Sequence, residues 1–502
     1  MHLDKAMHQM SIDQMELPLG TRGIAPTPLR SGEAKPAVDG DGRSGLANPL
    51  LMEQIVEGGN LQQALKRVQQ NKGSPGVDGR TVDDLTDDLR DHWPAIREQL
   101  LSGRYQPSAV KRVEIPKPDG GVRLLGIPTV LDRFIQQAVL QVLQPAIDPT
   151  FSAFSYGFRP GRSAHDAIRQ AQRYVQEDRH WVVDVDLAQF FDRVNHDILM
   201  GVVAKRIADP RVLTLIRRYL EAGVMASGVV GERHEGTPQG GPLSPLLANV
   251  LLDGVDKELE RRGLCFVRYA DDCNVYVASQ RAAERAMEGV VGLYATLKLQ
   301  INPAKSAVAP VGERTFLGYR FWRVVRGRIV KREVSPTAMN KMKARVRELT
   351  TRTGGRSLVR VVAELRRYLL GWKGYFQLAD TPSTFAAVDG WIRRRLRALI
   401  IKQCKDGRKL FQVLRARRVS TRDAAAAAAH CHRWWSTAAH PGVHKAFPAE
   451  YFDTIGVPRL GPSETSTHRT AGCGPACPVV WEGSRRDILS YSLSRFDALQ
   501  VS

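Results

Sequence analysis

Between Phe266 and Val277 the sequence reads Phe-Val-Arg-Tyr-Ala-Asp-Asp-Cys-Asn-Val-Tyr-Val, an apolar, β-favouring run that two adjacent carboxylates interrupt before it resumes. Two such runs are expected to fold back as a hairpin carrying Asp271 and Asp272 at its turn. Like charges at that tip add nothing to a core, whereas a divalent cation takes one or two carboxylates together with substrate phosphates. On these residues alone a solvated turn is the plain alternative.

A third acid changes the balance. Trp181-Val-Val-Asp-Val-Asp-Leu187 alternates strictly, so Trp181, Val183, Val185 and Leu187 are expected to face a core, with Asp184 and Asp186 on the other side. Asp186 with Asp271 and Asp272 makes a three-carboxylate cluster, which raises its own pKa values unless cations neutralise it. Two metal ions ~3.5–4 Å apart in such a cluster activate a 3′-hydroxyl and stabilise a leaving pyrophosphate. That is nucleotidyl-transfer chemistry.

The charge balance points to the same class of partner. The chain has 502 residues and a net charge of +21, and its pI is near 9.9. Such an excess calls for a polyanion. It is concentrated between Trp391 and Arg418, where Lys and Arg crowd around the single acid Asp406. Six cysteines without disulfide spacing fit a reducing setting. Cys473 and Cys477 lack a second pair for zinc, and the adjacent ligands of His430-Cys431-His432 do not suit one metal. No apolar run reaches the ~18 residues of a membrane span, and the N-terminus lacks a signal-peptide core. A cytoplasmic protein that does not enter membranes is expected.

Residues 1–49, rich in Gly, Pro and small polar residues, are expected to be a disordered extension. Amphipathic helix begins near Leu50. Val113–Pro128 reads as strand, turn and strand, followed by a helix with Leu131, Phe134, Ile135, Ala138 and Val142 on one face. Strands and helices alternate through roughly 150–330. Beyond Ser335-Pro336 the pattern is helical, with a stripe running from Leu358 to Trp372, and after about Pro462 it fades.

Four further segments stand in order around the acids. Ser155-Tyr-Gly-Phe-Arg-Pro-Gly-Arg162 carries Arg159 and Arg162. Gly236-Thr-Pro-Gln-Gly-Gly-Pro-Leu-Ser-Pro-Leu-Leu-Ala-Asn249 places a glycine-rich turn before a helix. Ile301-Asn-Pro-Ala-Lys-Ser306 offers Lys305, and Phe316-Leu-Gly-Tyr-Arg-Phe321 suits a short hairpin. Glycines in the second segment are expected to let backbone approach a nucleotide or template.

Together with the Tyr-Ala-Asp-Asp tetrad, these segments resemble the bacterial group II intron-encoded reverse transcriptases that also act as maturases, from about Leu51 to Leu460. The resemblance implies an α+β right-hand polymerase, with fingers and palm built on antiparallel sheet, followed by an all-helical thumb or maturase domain. The divisions it implies are fingers at 50–180, palm at 181–330, helical thumb and basic region at 331–462, and a loosely ordered tail at 463–502. By resemblance Asp186, Asp271 and Asp272 are the metal-binding catalytic triad, with the Leu187 carbonyl as a further ligand. Asp184 supports that site and Asp192 shapes a turn. Phe191 matches the steric gate against a 2′-hydroxyl, Lys117 and Arg123 match residues closing on the triphosphate, and Gln239 lies by the sugar and base. Phe316, Leu317 and Gly318 resemble the primer grip.

RNA and primer contacts are expected at Arg159, Arg162, Lys305, Arg393, Arg394, Arg395 and Arg397, because like charges as close as the last four repel without a polyanion. Trp372, Tyr375, Phe376 and Trp391 either stack on bases or pack a core. The implied cofactor is two Mg²⁺ ions, with Mn²⁺ as a substitute. The implied partners are the intron RNA, target DNA and RNA/DNA primer-template, and dNTPs, with association at the nucleoid when DNA is bound. A homodimer stays open. Nothing after Leu460 supplies the paired cysteines and histidines of the endonuclease that many family members carry. The alternatives are a reverse transcriptase of another bacterial lineage, serving a retron, a diversity-generating element or phage defence, and a splicing factor whose polymerase is inactive.

Overall fold

The computed structural model describes residues 50–116, 122–226, 229–231, 235–237, 240–324 and 329–461. The expectations for 1–49 and 463–502, the positions of Lys117 and Gln239, and the side chain of Arg123 lie outside the described residues.

Three helices open the chain, α1 (Leu51–Ile55), α2 (Gly58–Asn71) and α3 (Leu85–Leu101). The hairpin β1 (Val110–Pro116) and β2 (Val122–Ile127) follows, and then α4 (Val130–Ile147). Helix α4 starts on Thr129, whose hydroxyl accepts from the Asp132 N–H, and the edge of Trp93 from α3 meets Phe134 on its apolar face. A capping box of Ser163 and Asp166 launches α5 (Ala164–Gln176).

Next come β3 (Trp181–Val185), α6 (His196–Ala204), α7 (Pro210–Glu221), β4 (Val224–Ala226), β5 (Val229–Gly231) and α8 (Ser244–Arg261). The hairpin β6 (Cys265–Tyr269) and β7 (Asp272–Val277), helix α9 (Gln280–Thr296), β8 (Ala307–Pro310) and the hairpin β9 (Tyr319–Val324) and β10 (Ile329–Val334) complete the mixed region. The remainder is helical: α10 (Pro336–Leu349), α11 (Leu358–Phe376), α12 (Pro382–Gln403), α13 (Gly407–Ala416), α14 (Thr421–Ala429), α15 (Trp434–Thr437), α16 (Pro441–Ala446) and α17 (Ala449–Thr454).

One sheet runs β2-β1-β4-β5 and another, wholly antiparallel, runs β6-β7-β3-β8. Central position explains the β-branched character of β3. Val182 and Val183 are both buried, so it has an apolar residue on each face, and the expected one-sided alternation holds only from Val183 onward. One hydrophobic core joins α1–α4 to α6–α9 around β3 and β7; a second joins α5, β9 and β10 to the helices from α10 onward. No helix among the described residues is long and apolar enough to cross a membrane.

Candidate active site

Tyr269 and Asp272 face one another across the β6–β7 ladder, so the loop between them is Ala270 and Asp271 alone. Ala270 is left-handed, with φ +59°, a conformation costing a residue with a β-carbon roughly 1–2 kcal/mol. Beneath it lies Arg268, fully buried. Its Nε donates to both Asp256 carboxylate oxygens at 2.8 and 2.9 Å, and Nη2 donates to Oδ2 at 2.6 Å. Its Nη1 donates to Asn249 Oδ1 at 2.9 Å and to the Ala270 carbonyl at 2.8 Å. Asn249 and Asp256 stand about two turns apart on one face of α8. The Asn249 amide nitrogen donates to the Gly157 carbonyl at 3.0 Å. Position 157 has to be glycine, because a β-carbon there would lie 2.2 Å from the Ala270 nitrogen.

Strand β3 pairs with β7 so that Val185 opposes Cys273, and one further step brings Asp186 alongside Asp272. The Asn302–Ser306 segment fixes the Asp186 backbone. Its N–H donates to Ser306 Oγ at 2.9 Å and its carbonyl accepts from the Asn302 N–H at 2.8 Å. Lys305 Nζ lies 3.7 Å from Asp186 Oδ2. Asp186, Asp272, Lys305 and Leu317 line a cavity of about 390 Å³.

The surrounding protein pushes the Asp272 carboxyl up to about 7 by desolvation; Asp271, Asp186 and Asp184 push the same way and Lys305 opposes them. Asp184 is engaged elsewhere, by Arg314 at 2.6 and 2.8 Å and by Asn274, whose amide reaches its other oxygen at 2.9 Å once turned. Among the described residues no three His, Cys, Asp or Glu side chains gather closely enough to hold an ion unaided. Two adjoining carboxylates open to a cavity, with the proton affinity of Asp272 raised, nonetheless suit a hard cation that completes its shell with phosphate oxygens and water. Asp271 stands half-buried in the turn. Leu187 is buried, its backbone bridged to Ile301.

Phe191 belongs to the short turn Phe190–Asp192 that follows β3, and packs edge-on against Phe190 with ring centroids 5.1 Å apart. Its carbonyl accepts from the Thr237 N–H at 2.7 Å. Gly236, at φ +89°, sits so close that a β-carbon would lie 2.8 Å from the Asp192 carbonyl. Gly240 and Gly241 make room for the protein itself: β-carbons there would come within 2.4 Å of the Gly126 carbonyl and of Gln136 Oε1. Leu317 and Gly318, both left-handed at φ +50° and +79°, form the turn between Phe316 and Tyr319. The Tyr375 hydroxyl holds the Leu317 carbonyl at 2.9 Å, while the Phe316 side chain is buried.

Several side chains expected to touch nucleic acid are instead engaged internally. Arg159 is buried, and all its N–H groups go to Asp148 and to the carbonyls of Asp148, Ser152 and Ser155. Arg162 donates to the Ala153 carbonyl at 2.5 Å and lies over Tyr156. Arg393 is buried against Asp453 at 2.7 Å. Buried Arg397 donates to the Phe447 carbonyl at 2.8 Å, and desolvation pushes its pKa down to about 10. Separate partners on neighbouring helices, rather than a polyanion, relieve the repulsion expected of this cluster. Trp372 and Phe376 pack together at 4.7 Å in the core, whereas Tyr375 is exposed.

Arg394 and Arg395 also donate within the protein, Arg394 to the Trp435 carbonyl at 3.0 and 3.2 Å and Arg395 to Thr350 Oγ1 at 2.6 Å and the Arg347 carbonyl at 3.2 Å, but they are half-buried and lie on indole rings. Arg394 lies 4.2 Å over Trp435; Arg395 and Arg347 both lie over Trp391 at 5.5 and 5.6 Å; Lys402 and Arg352 lie over Trp434 at 4.3 and 5.2 Å. None of these five cations forms an ion pair among the described residues. Indole faces spread the cations out without cancelling their charge. The composition of Trp391–Arg418 reveals the charge, but not this sorting into buried members and half-buried ones laid on indole rings.

Residues 115–321 match the family model "Reverse transcriptase (RNA-dependent DNA polymerase)", and residues 339–418 match "Group II intron, maturase-specific domain". The Escherichia coli K12 "Protein YkfC" is 35% identical over 317 residues, which cover 54% of this chain and 83% of that protein. The Lactococcus lactis "Group II intron-encoded protein LtrA" is 36% identical over 197 residues, 39% of this chain and 32% of that one. The "Putative COX1/OXI3 intron 2 protein" of Saccharomyces cerevisiae is 32% identical over 204 residues, 40% of this chain and 23% of that protein. With a reverse transcriptase region, a maturase-specific region after it and adjoining acids at the β3–β7 ladder, the chain belongs to the family of group II intron reverse transcriptase/maturases.

Proposed function

We propose that this chain is an RNA-directed DNA polymerase that also binds the intron RNA encoding it, assists its splicing and copies it into cDNA from a target-DNA 3′-hydroxyl. The observation that carries this is the meeting of Asp186, just past the end of β3, and Asp272, at the start of β7, at one cavity, with Asp271 in the adjoining turn. Asp186, Asp272 and Asp271 would hold two Mg²⁺ ions, or Mn²⁺, with the Leu187 carbonyl assisting. Bound there, the metal supplies charge stabilisation for in-line displacement at a phosphoryl group.

The chain's own residues do the rest. Lys305 offsets charge beside Asp186, Leu317 walls the cavity where a primer end would lie, and Phe191 limits room beneath the sugar. Lys117, Arg123 and Gln239 attend the incoming dNTP. In this reading 50–180 are fingers, 181–330 palm and 331–462 thumb. The intron RNA lies along the cations borne by Trp391, Trp434 and Trp435, in place of Arg393 and Arg397. The protein works in the cytoplasm, at the nucleoid when on DNA.

The test is the double variant Asp271→Ala/Asp272→Ala. Template-primer extension with Mg²⁺ should fall at least ~10³-fold, as expected when metal ligands are removed, while binding of intron RNA is kept. Extension at the wild-type rate would remove the assignment.

A further inference from the structure

The proposed chemistry uses the acids of the β6–β7 turn but not what holds the turn. Two-residue hairpin loops favour a positive φ at their first residue, and Ala270 adopts it at the cost of its β-carbon, a cost glycine would not meet. Beside the hairpin itself and the Gly157 backbone packed against the Ala270 nitrogen, one side chain holds this conformation. The Arg268 guanidinium grips the carbonyl of the strained residue itself, at 2.8 Å. It is in turn fixed by both carboxylate oxygens of Asp256 and by Asn249, which stand together on the rigid face of α8. Asn249 also fastens Gly157 against the turn from the opposite side. Arg268 and Asp256 are both fully buried. A buried ion pair is a poor device for stability alone, since apolar residues of the same volume serve as well or better. A fork that donates in three directions at once is instead a device for placing its acceptors.

We propose that Arg268 is the positioning residue of the acidic turn: by locking Ala270 in its left-handed state from α8, it sets where Asp271 and Asp272 meet Asp186. This rests on the reading of those acids as metal ligands. Three stretches that belong to motifs associated with nucleic acid in the sequence, around Gly157, Asn249 and Arg268, thus share one internal task.

Arg268→Lys keeps the charge against Asp256 but cannot also reach Asn249 and the Ala270 carbonyl. Two readouts on the full chain without nucleic acid decide the matter: Mn²⁺ affinity by electron paramagnetic resonance, and amide hydrogen exchange across 269–273. We expect Mn²⁺ affinity to weaken ~10-fold or more, the usual effect of removing a group that orients ligands, and exchange to speed up in the turn while α8 stays protected. Adding Ala270→Gly, which removes the penalty of the left-handed state, should restore part of both. A folded Arg268→Lys with unchanged affinity and unchanged turn exchange overturns the proposal. Should that variant not fold, Asn249→Ala, which leaves the ion pair intact, is expected to give the same two changes, and their absence overturns it equally. If wild type and Asp272→Asn bind Mn²⁺ alike, the metal reading falls, and turn exchange in the variants still decides the role of Arg268.

Discussion

Arg159 and Arg268 show how little a residue's type says about its task. Both are arginines beside sequence motifs, and both are buried with their donors consumed inside the protein. Replacing Arg159 with Met leaves Asp148 and several carbonyls without their donor. Denaturant unfolding should show a loss of about 3 kcal/mol, with no change in the salt dependence of RNA binding. Glu258 makes the converse case at the surface. Arg261 and Arg262 hold its carboxyl down at about 2 through hydrogen bonds. A lowered carboxylate stabilises the fold above its unfolded pKa, near 4.5, and that contribution disappears as pH falls toward 2. An NMR titration of the Glu258 side chain should therefore find its midpoint well below 4. Asp186 and Asp272 are legible in the sequence because their signals are local: acids interrupting β-branched runs. Arg268 is not, since an arginine within a strand reads as solvent-facing, and its burial depends on Asp256 and Asn249 arriving from another element.

At the level of elements, the turns carry more constraint than the helices they join. Helices α4, α8 and α11 and the hairpins β1–β2 and β6–β7 follow from periodicity, capping and turn chemistry, all of it readable along the chain. The glycines of the segment before α8 read in the sequence as space for a nucleotide. Their neighbours are β2, α4 and the Phe190–Asp192 turn, partners that sequence spacing cannot supply. Gly236→Ala should therefore act through the fold. It meets both a left-handed backbone and the Asp192 carbonyl, and should cost roughly 2 kcal/mol or more in urea unfolding. Alanine at Gly254, on α8 with nothing close by, should be neutral or slightly stabilising.

For the whole molecule, the net charge of +21 is not a uniform coat. In the helical region buried Arg393 and Arg397 tie helices together, and Arg394 and Arg395 do so from half-buried positions with their guanidinium groups on indole rings. Replacing Arg347, Arg352, Arg394, Arg395 and Lys402 with Gln should weaken RNA binding and flatten its dependence on salt by ~0.7–0.9 log units for each phosphate no longer neutralised. Extension of a short primer on a short template should be retained, and an unchanged salt slope would place the RNA elsewhere. The order β6-β7-β3-β8 carries a last consequence, for the making of the protein. Both partners of β3 are encoded downstream of it, β7 roughly 90 residues later and β8 later still. At the ~5–20 residues per second of synthesis, a valine-rich strand with two open edges waits several seconds on the ribosome for its neighbours. This stretch of the nascent chain is one a holding chaperone would protect, and slow translation would lengthen its exposure.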